Sequence, residues 1–204
     1  MGTRWSASVD TDTSLSLQAL HHDLATAVQQ VDEQMSPWKP GSDLVRLNRA
    51  PIDTWVDLPA QMLEVLGSAL DIHRRSAGAF DPCVGALVDA WGFGAARDTP
   101  DAEAINTARR AAPCAMGQSL ELDRASGRAR KRAPLQLDLC GIAKGYAVDR
   151  MAAVLTLHGV RHALLAIDGE LRAVGSQVSG APWAVALESP ETGRRAAHGV
   201  IDLQ

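Results

Sequence analysis

The order of helical and strand patterns constrains the fold of this chain more than any single residue does. Apolar residues recur at three- and four-residue spacing over about 14–34 and again over about 59–76, which predicts two amphipathic helices. A third long helix is predicted over 146–157, where Gly159 would end it. Strand patterns come in groups and do not alternate with these helices. This grouping predicts an α+β fold and argues against a doubly wound parallel sheet.

Short strands and capped helices are predicted between the long helices. Residues 120–123 alternate apolar and charged side chains, and we predict that they pair with 135–139 in a hairpin with a longer loop. Ser42 is predicted to cap a short helix, and Asp98 to cap a further one. The other predicted strands cover 3–9, 161–167, 170–174, 183–187 and 200–203.

Composition excludes several classes of protein. A chain of 204 residues with 46% hydrophobic and 22% charged residues is typical of a globular protein. Its 20 Lys and Arg against 24 Asp and Glu give a net charge of -4, which predicts no general attraction to nucleic acid. No apolar run reaches the length of a membrane span, so no transmembrane segment is predicted. The first residues show neither a signal peptide nor a lipid anchor.

One segment, 137–146, carries residues suited to binding a nucleotide. We expect a strand that contains Asp138, then a glycine-flanked turn over 141–145, with Lys144 at the opening of a helix. Helix N-termini attract phosphate, Lys144 would add a full charge, and Asp138 could bind a ribose or a base. The segment matches neither of the common nucleotide-loop motifs. A strand–turn–helix junction with an incidental lysine explains it equally well.

Three other clusters each allow a functional and a purely structural interpretation. Phe80 and Asp81, in a glycine-led turn, could stack on a ring and anchor a polar edge, or be a core side chain and a turn acid. Trp38, between two prolines, could be a stacking platform or cover the ends of helices. The basic residues of 128–132 could bind an anion, although a charged strand edge that resists aggregation is the favoured interpretation.

Taken in order along the chain, these segments resemble the ApbE family, the FAD:protein FMN transferases. The family motifs, with the residues that match them here, are M-G-T (1–3), M-S-x-[YW]-x-P (35–40), S-x-[LI]-x-x-[LF]-N (42–48), G-A-F-D-P/I-x-V-G-x-L-V-x-x-W-G-F-G (78–94), L-D-L-x-G/A-I-A-K-G-Y-A-V-D (137–149), I-G-G-E-L-x-A-x-G (167–175) and P-W-x-V-x-[IL]-E-x-P (182–190). Two of these motifs are long and specific, and the resemblance extends over the whole chain.

The resemblance implies a fold, a reaction and a set of site residues. The fold would be ApbE-like (T-fold-like), with mixed, largely antiparallel sheets packed with helices, and residues 1–204 would form one FAD-binding region. The reaction would be the Mg²⁺-dependent transfer of FMN from FAD to a threonine or serine hydroxyl of an acceptor protein, with release of AMP. The backbone carbonyl of Gly141 would be one Mg²⁺ ligand. The residues that would contact FAD are Met1, Trp38, Ala79, Phe80, Asp81, Asp138 and Lys144.

Some family features have no counterpart in this sequence. Family sequences continue with an H-x-I-D-P-x-T-G segment, whose histidine would assist catalysis, and an A-D-x-x-[AS]-T-A helix, which would supply most of the Mg²⁺ shell. Neither is found here, so we expect the C-terminal part of the fold to be missing, and no catalytic residue is assigned. We also expect this chain alone to have little or no transferase activity. An FAD pyrophosphatase that yields FMN and AMP, and a non-catalytic flavin-binding remnant, are the alternatives.

The resemblance also implies a partner and a location. The acceptor would be a flavoprotein subunit of a redox or ion-pumping complex. Family members usually act on the periplasmic side of the inner membrane, and a chain that genuinely begins at Met1 would be cytoplasmic.

Overall fold

The computed structural model describes residues 2–11, 15–96, 98–110, 116–190 and 196–204. Its helices are α1 (Leu17–Met35), α2 (Asp43–Arg49), α3 (Ala60–Arg75), α4 (Gly85–Ala90), α5 (Ala102–Arg110), α6 (Met116–Ser119) and α7 (Cys140–Leu157), with a short 3₁₀ turn at Pro82–Val84. Its strands are β1 (Trp5–Val9), β2 (Val56–Asp57), β3 (Leu120–Asp123), β4 (Arg128–Lys131), β5 (Ala163–Ile167), β6 (Glu170–Val174), β7 (Trp183–Glu188) and β8 (Ala197–Leu203).

The described chain divides into two compact units, one comprising 29–143 and the other 2–28 with 144–204. Each unit combines helices with antiparallel strand pairs, so the predicted α+β class is confirmed. None of the described helices combines the length and the apolar character needed to cross a bilayer.

The first unit contains an antiparallel sheet in the order β2-β4-β3. Helix α2 begins where predicted, because the Ser42 side chain accepts a hydrogen bond from the Val45 amide at 3.1 Å. One turn apart on α2, Leu44 and Leu47 are both fully buried. Other large side chains of this unit that are less than 2% exposed are Met62, Leu66, Met116, Leu137 and Leu139.

The predicted pairing of residues 120–123 with 135–139 is wrong. Strand β3 pairs instead with β4, with Leu120 opposite Lys131. The sequence pattern hid β4 because its two buried positions hold Ala129 and Lys131, and not large apolar side chains. Residues 135–139 are not assigned to any strand. Backbone groups of Gln136, Leu137 and Asp138 instead form hydrogen bonds with Gly85, Asn48 and Pro82.

The second unit contains an antiparallel sheet in the order β1-β5-β6 and a separate β7–β8 hairpin. Trp5 lies opposite Ile167, and Ile167 lies opposite Glu170 across the tight turn to β6. Strand β5 alternates buried and half-buried positions. The large, almost fully buried side chains of this unit are Leu24, Met151, Leu155, Leu165 and Ile167.

Two helix starts differ from the sequence prediction. Helix α7 begins at Cys140, so residues 141–145 are helical and do not form the predicted turn. Gly141 and Gly145 misled the prediction, because both take ordinary helical conformations here. Helix α5 begins at Ala102 with Asp101 as its cap, accepting a hydrogen bond from the Ala104 amide at 2.9 Å, so Asp98 is not the cap.

Candidate functional site

Asp138 lies two residues before the first residue of α7, and one of its carboxylate oxygens caps the helix. Its Oδ1 accepts a hydrogen bond from the Cys140 amide at 2.7 Å. The Leu139 carbonyl accepts from the amides of Ile142 and Ala143 at 3.0 and 2.8 Å. Within the described residues, Asp138 Oδ2 and the Gly141 amide therefore keep their hydrogen-bonding capacity for a ligand.

The charge of Asp138 determines which part of a ligand this helix start favours. A carboxylate beside the first turn offsets the partial positive charge of the helix N-terminus. Asp138 therefore favours hydrogen-bond donors such as ribose hydroxyls or a base amino group, and it disfavours a phosphate at the same place. The sequence prediction placed Lys144 at the helix opening. In the structure Lys144 follows Cys140 by four residues and lies one turn inside α7.

The turn that contains Phe80 and Asp81 is held by the C-terminal end of α3. The Phe80 amide donates to Ser76 Oγ at 3.0 Å, and the Phe80 carbonyl lies 2.9 Å from His73 Nδ1. That ring nitrogen must carry the hydrogen, because a carbonyl oxygen can only accept. Asp81 Oδ1 accepts from the Cys83 amide at 2.9 Å and so begins the 3₁₀ turn. Both ends of the turn are thereby fixed.

This turn and the start of α7 are joined directly. The Asp138 amide donates to the Pro82 carbonyl at 2.8 Å. The Phe80 ring lies over Gly141 so closely that a Cβ added there would be 3.4 Å from Phe80 Cε2. Phe80, Asp81, Asp138 and Gly141, singled out separately in the sequence, therefore come together in the first unit. Ala79 is exposed beside them, and Met1 lies outside the described residues.

A cleft of about 380 Å³ opens beside this junction, within the same unit. Its walls include Pro37, Asn48, Asp89, Gln136 and Asp138. Its volume lies near the lower end of the range found for small-molecule sites.

Trp38 follows Pro37, a residue of this cleft wall, but is not itself among the lining residues. Its side chain is 53% exposed. The surrounding loop is fixed by Ser36, whose carbonyl accepts from Ser42 Oγ at 2.7 Å and whose hydroxyl accepts from the Trp38 amide at 3.3 Å. An exposed indole on a fixed loop suits stacking, which stays a prediction for Trp38.

Lys144 belongs to the second unit, where two carboxylates face it. Its Nζ lies 3.7 Å from Asp168 Oδ2 and 3.7 Å from Glu170 Oε1. Asp168 has a φ of 56°, a left-handed conformation that favours glycine. It occupies the first glycine position of the I-G-G-E motif, so this chain carries an extra negative charge beside Lys144.

The basic strand β4 is not a sheet edge, because it lies between β2 and β3. Arg128 and Arg130 pair with Asp123 and Glu121 of β3 at 3.1 and 2.9 Å, and both guanidinium groups lie over the Trp55 ring. The two arginines are thus paired, half-exposed side chains of a central strand, and the favoured interpretation as a strand edge is wrong. Lys131, predicted to lie on this surface, is buried, and its burial lowers the pKa of its ammonium group.

The described residues do not fit a Mg²⁺ ion by themselves. Mg²⁺ requires several oxygen ligands in near-octahedral geometry. The described part of the chain holds no group of three or more His, Cys, Asp or Glu side chains that could bind a metal ion. The Gly141 carbonyl, which the resemblance assigns as a ligand, would be a single ligand here.

Two residues that hold the site together were not predicted from the sequence to have a role of their own. Asn48 closes the S-x-[LI]-x-x-[LF]-N motif and bonds the backbone of Leu137. The sequence signal that could have identified Asn48 is its position as a polar residue directly after Leu47, near the end of a short predicted helix. His73 is one of six histidines in the sequence, and no sequence signal links it to the Phe80 carbonyl.

The sequence model of the ApbE family matches the chain over residues 1–204. The chain therefore belongs to the ApbE family. It is 31% identical over 212 residues to the FAD:protein FMN transferase of Haemophilus influenzae, and 32% identical over 209 residues to that of Klebsiella pneumoniae. Both comparisons cover all of this chain but 61% and 59% of the relatives, so the chain spans about three-fifths of their length.

Solved structures agree with this assignment. The apo form of the Pseudomonas stutzeri flavinyl transferase ApbE matches the whole chain with a TM-score of 0.83 at 30% identity, over 64% of its own length. The flavin transferase ApbE of Vibrio cholerae matches 99% of this chain with a TM-score of 0.86 at 28% identity, over 65% of its length. The predicted ApbE-like fold is thereby confirmed.

Proposed function

We propose that this chain binds FAD and forms the flavin-binding part of a protein FMN transferase. The observation that carries the proposal is the junction between the Phe80 turn and the start of α7. There an aromatic ring, an available carboxylate oxygen and a backbone amide lie together. FAD offers matching groups: flat rings, and ribose and base hydrogen-bond donors.

The proposed reaction moves a phosphoryl group from one oxygen to another. The hydroxyl oxygen of an acceptor threonine or serine forms a bond to the phosphorus of the FMN half of FAD. The bond from that phosphorus to the bridging oxygen breaks, AMP leaves with that oxygen, and the hydroxyl proton passes to a base. Positioning and charge stabilisation dominate such transfers. The proposed acceptor is a flavoprotein subunit of a redox or ion-pumping complex.

Within this reaction, the residues of the junction would bind and orient FAD. Phe80 would cover one face of a ring, and Asp138 Oδ2 would accept a hydrogen bond from a ribose or base group. Lys144 would supply positive charge for the diphosphate. We further propose that the transfer depends on Mg²⁺ and that its main ligands come from family segments not matched in this chain. The 204 residues alone would then bind FAD and transfer little or no FMN.

The assay is to incubate the chain with FAD, Mg²⁺ and an acceptor flavoprotein domain, and to follow both products. Mass spectrometry detects FMN on the acceptor, and chromatography detects AMP. We expect bound FAD with little of either product, and transfer by a relative of full length under the same conditions. AMP release without an acceptor would instead indicate a pyrophosphatase. Absence of FAD binding would contradict the proposal.

Removing the extra charge beside Lys144 is expected to tighten FAD binding. Asp168→Asn keeps a residue type that tolerates the left-handed conformation and deletes one of the two carboxylates facing the ammonium group. Exposed ion pairs contribute about 0.2–1 kcal/mol, so the dissociation constant for FAD should fall by up to about fivefold at low salt. The measurement is an FAD titration at two salt concentrations.

Asp202→Asn is the control for Asp168→Asn, because Asp202 is an exposed acid of the same unit with no ion pair to Lys144. Equal tightening by both variants would indicate a general charge effect. Unchanged or weaker binding by Asp168→Asn alone would contradict a role of Lys144 in holding the diphosphate.

A further inference from the structure

The side-chain amide of Asn48 holds the extended segment 135–139 in place. It forms the hydrogen bonds that a neighbouring strand would form in a sheet. Asn48 Nδ2 donates to the Leu137 carbonyl at 2.9 Å, and the Leu137 amide donates to Asn48 Oδ1, also at 2.9 Å. The two residues are 89 positions apart. One planar amide thus satisfies both backbone groups of one extended residue, as a β-ladder partner does.

Asn48 is itself well anchored. It lies in the last turn of α2, directly after the fully buried Leu47. Its carbonyl accepts a hydrogen bond from the buried Lys131 Nζ at 2.6 Å. The two hydrogen bonds between Asn48 and Leu137, which we call the Asn48 clamp, therefore connect Leu137 to α2. The position of α2 is fixed by the core and by β4.

Asparagine is chemically well suited to this position. The contact needs one donor and one acceptor on a short planar group, facing a C=O and an N–H of the same residue. Aspartate has a similar shape but cannot donate while it is ionised, and it would place a negative charge against the Leu137 carbonyl. Alanine removes both bonds and leaves two backbone groups without their partners.

We propose that Asn48 is a positioning residue for the FAD site, acting through Leu137 on Asp138 and the first turn of α7. This inference rests on the proposed FAD binding. Leu137 directly precedes Asp138, whose amide is fixed on Pro82 and whose carboxylate begins the helix. Leu137 is also 1% exposed, so packing alone keeps the segment in the core. The side-chain amide of Asn48 also fixes the backbone orientation at Leu137, and this sets the direction of the Asp138 carboxylate.

The test compares variants that lose the clamp with a variant that loses only packing. Asn48→Asp removes the donor, and Asn48→Ala removes both bonds. Leu47→Ala creates a cavity in the same helix and leaves the amide in place, and Asn106→Asp changes an exposed asparagine of α5. FAD affinity is measured by titration at a temperature where circular dichroism shows every variant folded, and hydrogen exchange is measured across residues 137–143.

We expect Asn48→Ala to weaken FAD binding by at least about tenfold, the effect of losing one or two buried hydrogen bonds, with a smaller loss in Asn48→Asp. Exchange at Leu137 and Cys140 should become faster in Asn48→Ala and change less in Asn48→Asp, which keeps an acceptor for the Leu137 amide. Leu47→Ala should lower the melting temperature at least as much as Asn48→Ala does and change FAD affinity less than about twofold, because the clamp is intact. Asn106→Asp should change neither quantity.

Two results would overturn the inference: FAD affinity unchanged in Asn48→Ala, or a loss equal to that of Leu47→Ala at the same loss of stability. Absence of FAD binding by the unsubstituted chain would contradict the proposed function instead. Hydrogen exchange still tests the role of Asn48 in that case. Unchanged exchange at Leu137 and Cys140 in Asn48→Ala would show that the Asn48 side chain does not fix the backbone of this segment.

Discussion

Replacing Asp138 with asparagine is expected to weaken FAD binding by about 10- to 100-fold, because hydrogen bonds to charged groups contribute about 1.5–3 kcal/mol. Asparagine keeps one oxygen to accept the hydrogen bond from the Cys140 amide, so the start of α7 should survive. The second carboxylate oxygen becomes an NH₂ group. A ribose hydroxyl or base amino group of FAD would then meet a donor where the unsubstituted protein offers a charged acceptor.

The measurement is the dissociation constant for FAD, taken with thermal unfolding of the same samples. Asp71→Asn is the control, because Asp71 is an acid of α3 that pairs with Arg74 and takes no part in the candidate site. We expect the control to bind FAD as the unsubstituted chain does. Equal FAD affinity in Asp138→Asn would contradict a contact between Asp138 and FAD. Loss of folding would show that the role of Asp138 is structural.

Replacing Gly85 with alanine is expected to reduce both stability and FAD binding. A Cβ on Gly85 would lie 2.7 Å from the Gln136 carbonyl oxygen and 2.9 Å from Gln136 Cγ. The first of these is a backbone atom that also accepts the Gly85 amide at 3.0 Å, so it cannot simply rotate away. Overpacking of this kind costs about 1–3 kcal/mol. The displaced segment 135–138 would carry Asp138 with it.

Gly145→Ala is the matched control, because Gly145 is also helical but has no atom within 4 Å of an added Cβ. Alanine in an open helical position should raise the free energy of unfolding by about 0.5–1 kcal/mol. The two substitutions are therefore expected to have opposite signs in chemical denaturation. A neutral Gly85→Ala variant would contradict the close approach of helix α4 to segment 135–138.

The sequence predicted the elements whose apolar periodicity is strong. Helices α1 and α3 lie within a few residues of their expected limits, and β6 matches its prediction fully. Periodicity works there because burial of one face is what stabilises those elements. Helix α7 was shortened because glycine was interpreted as a turn, although tertiary packing keeps Gly141 and Gly145 helical.

The candidate site was predictable as a set of segments and not as an arrangement. Phe80, Asp81 and Asp138 were found from local motifs, and the fold then joined them through the Pro82 carbonyl. Long-range contacts of single polar groups leave no periodic trace in a sequence. The bonds from Asn48 to Leu137 and from His73 to Phe80 are of this kind, and only the structure reveals them.

The most direct test is an FAD titration of the 204-residue chain, followed by flavin fluorescence with Mg²⁺ and with a chelator. We expect saturable binding that is the same in both conditions, since the proposed FAD contacts involve no metal ion and the described residues hold no group of three or more His, Cys, Asp or Glu side chains that could bind one. Binding that requires Mg²⁺ would contradict the absence of a metal site in this part of the chain. No binding in either condition would contradict the claim that the Phe80 turn and the start of α7 form an FAD site.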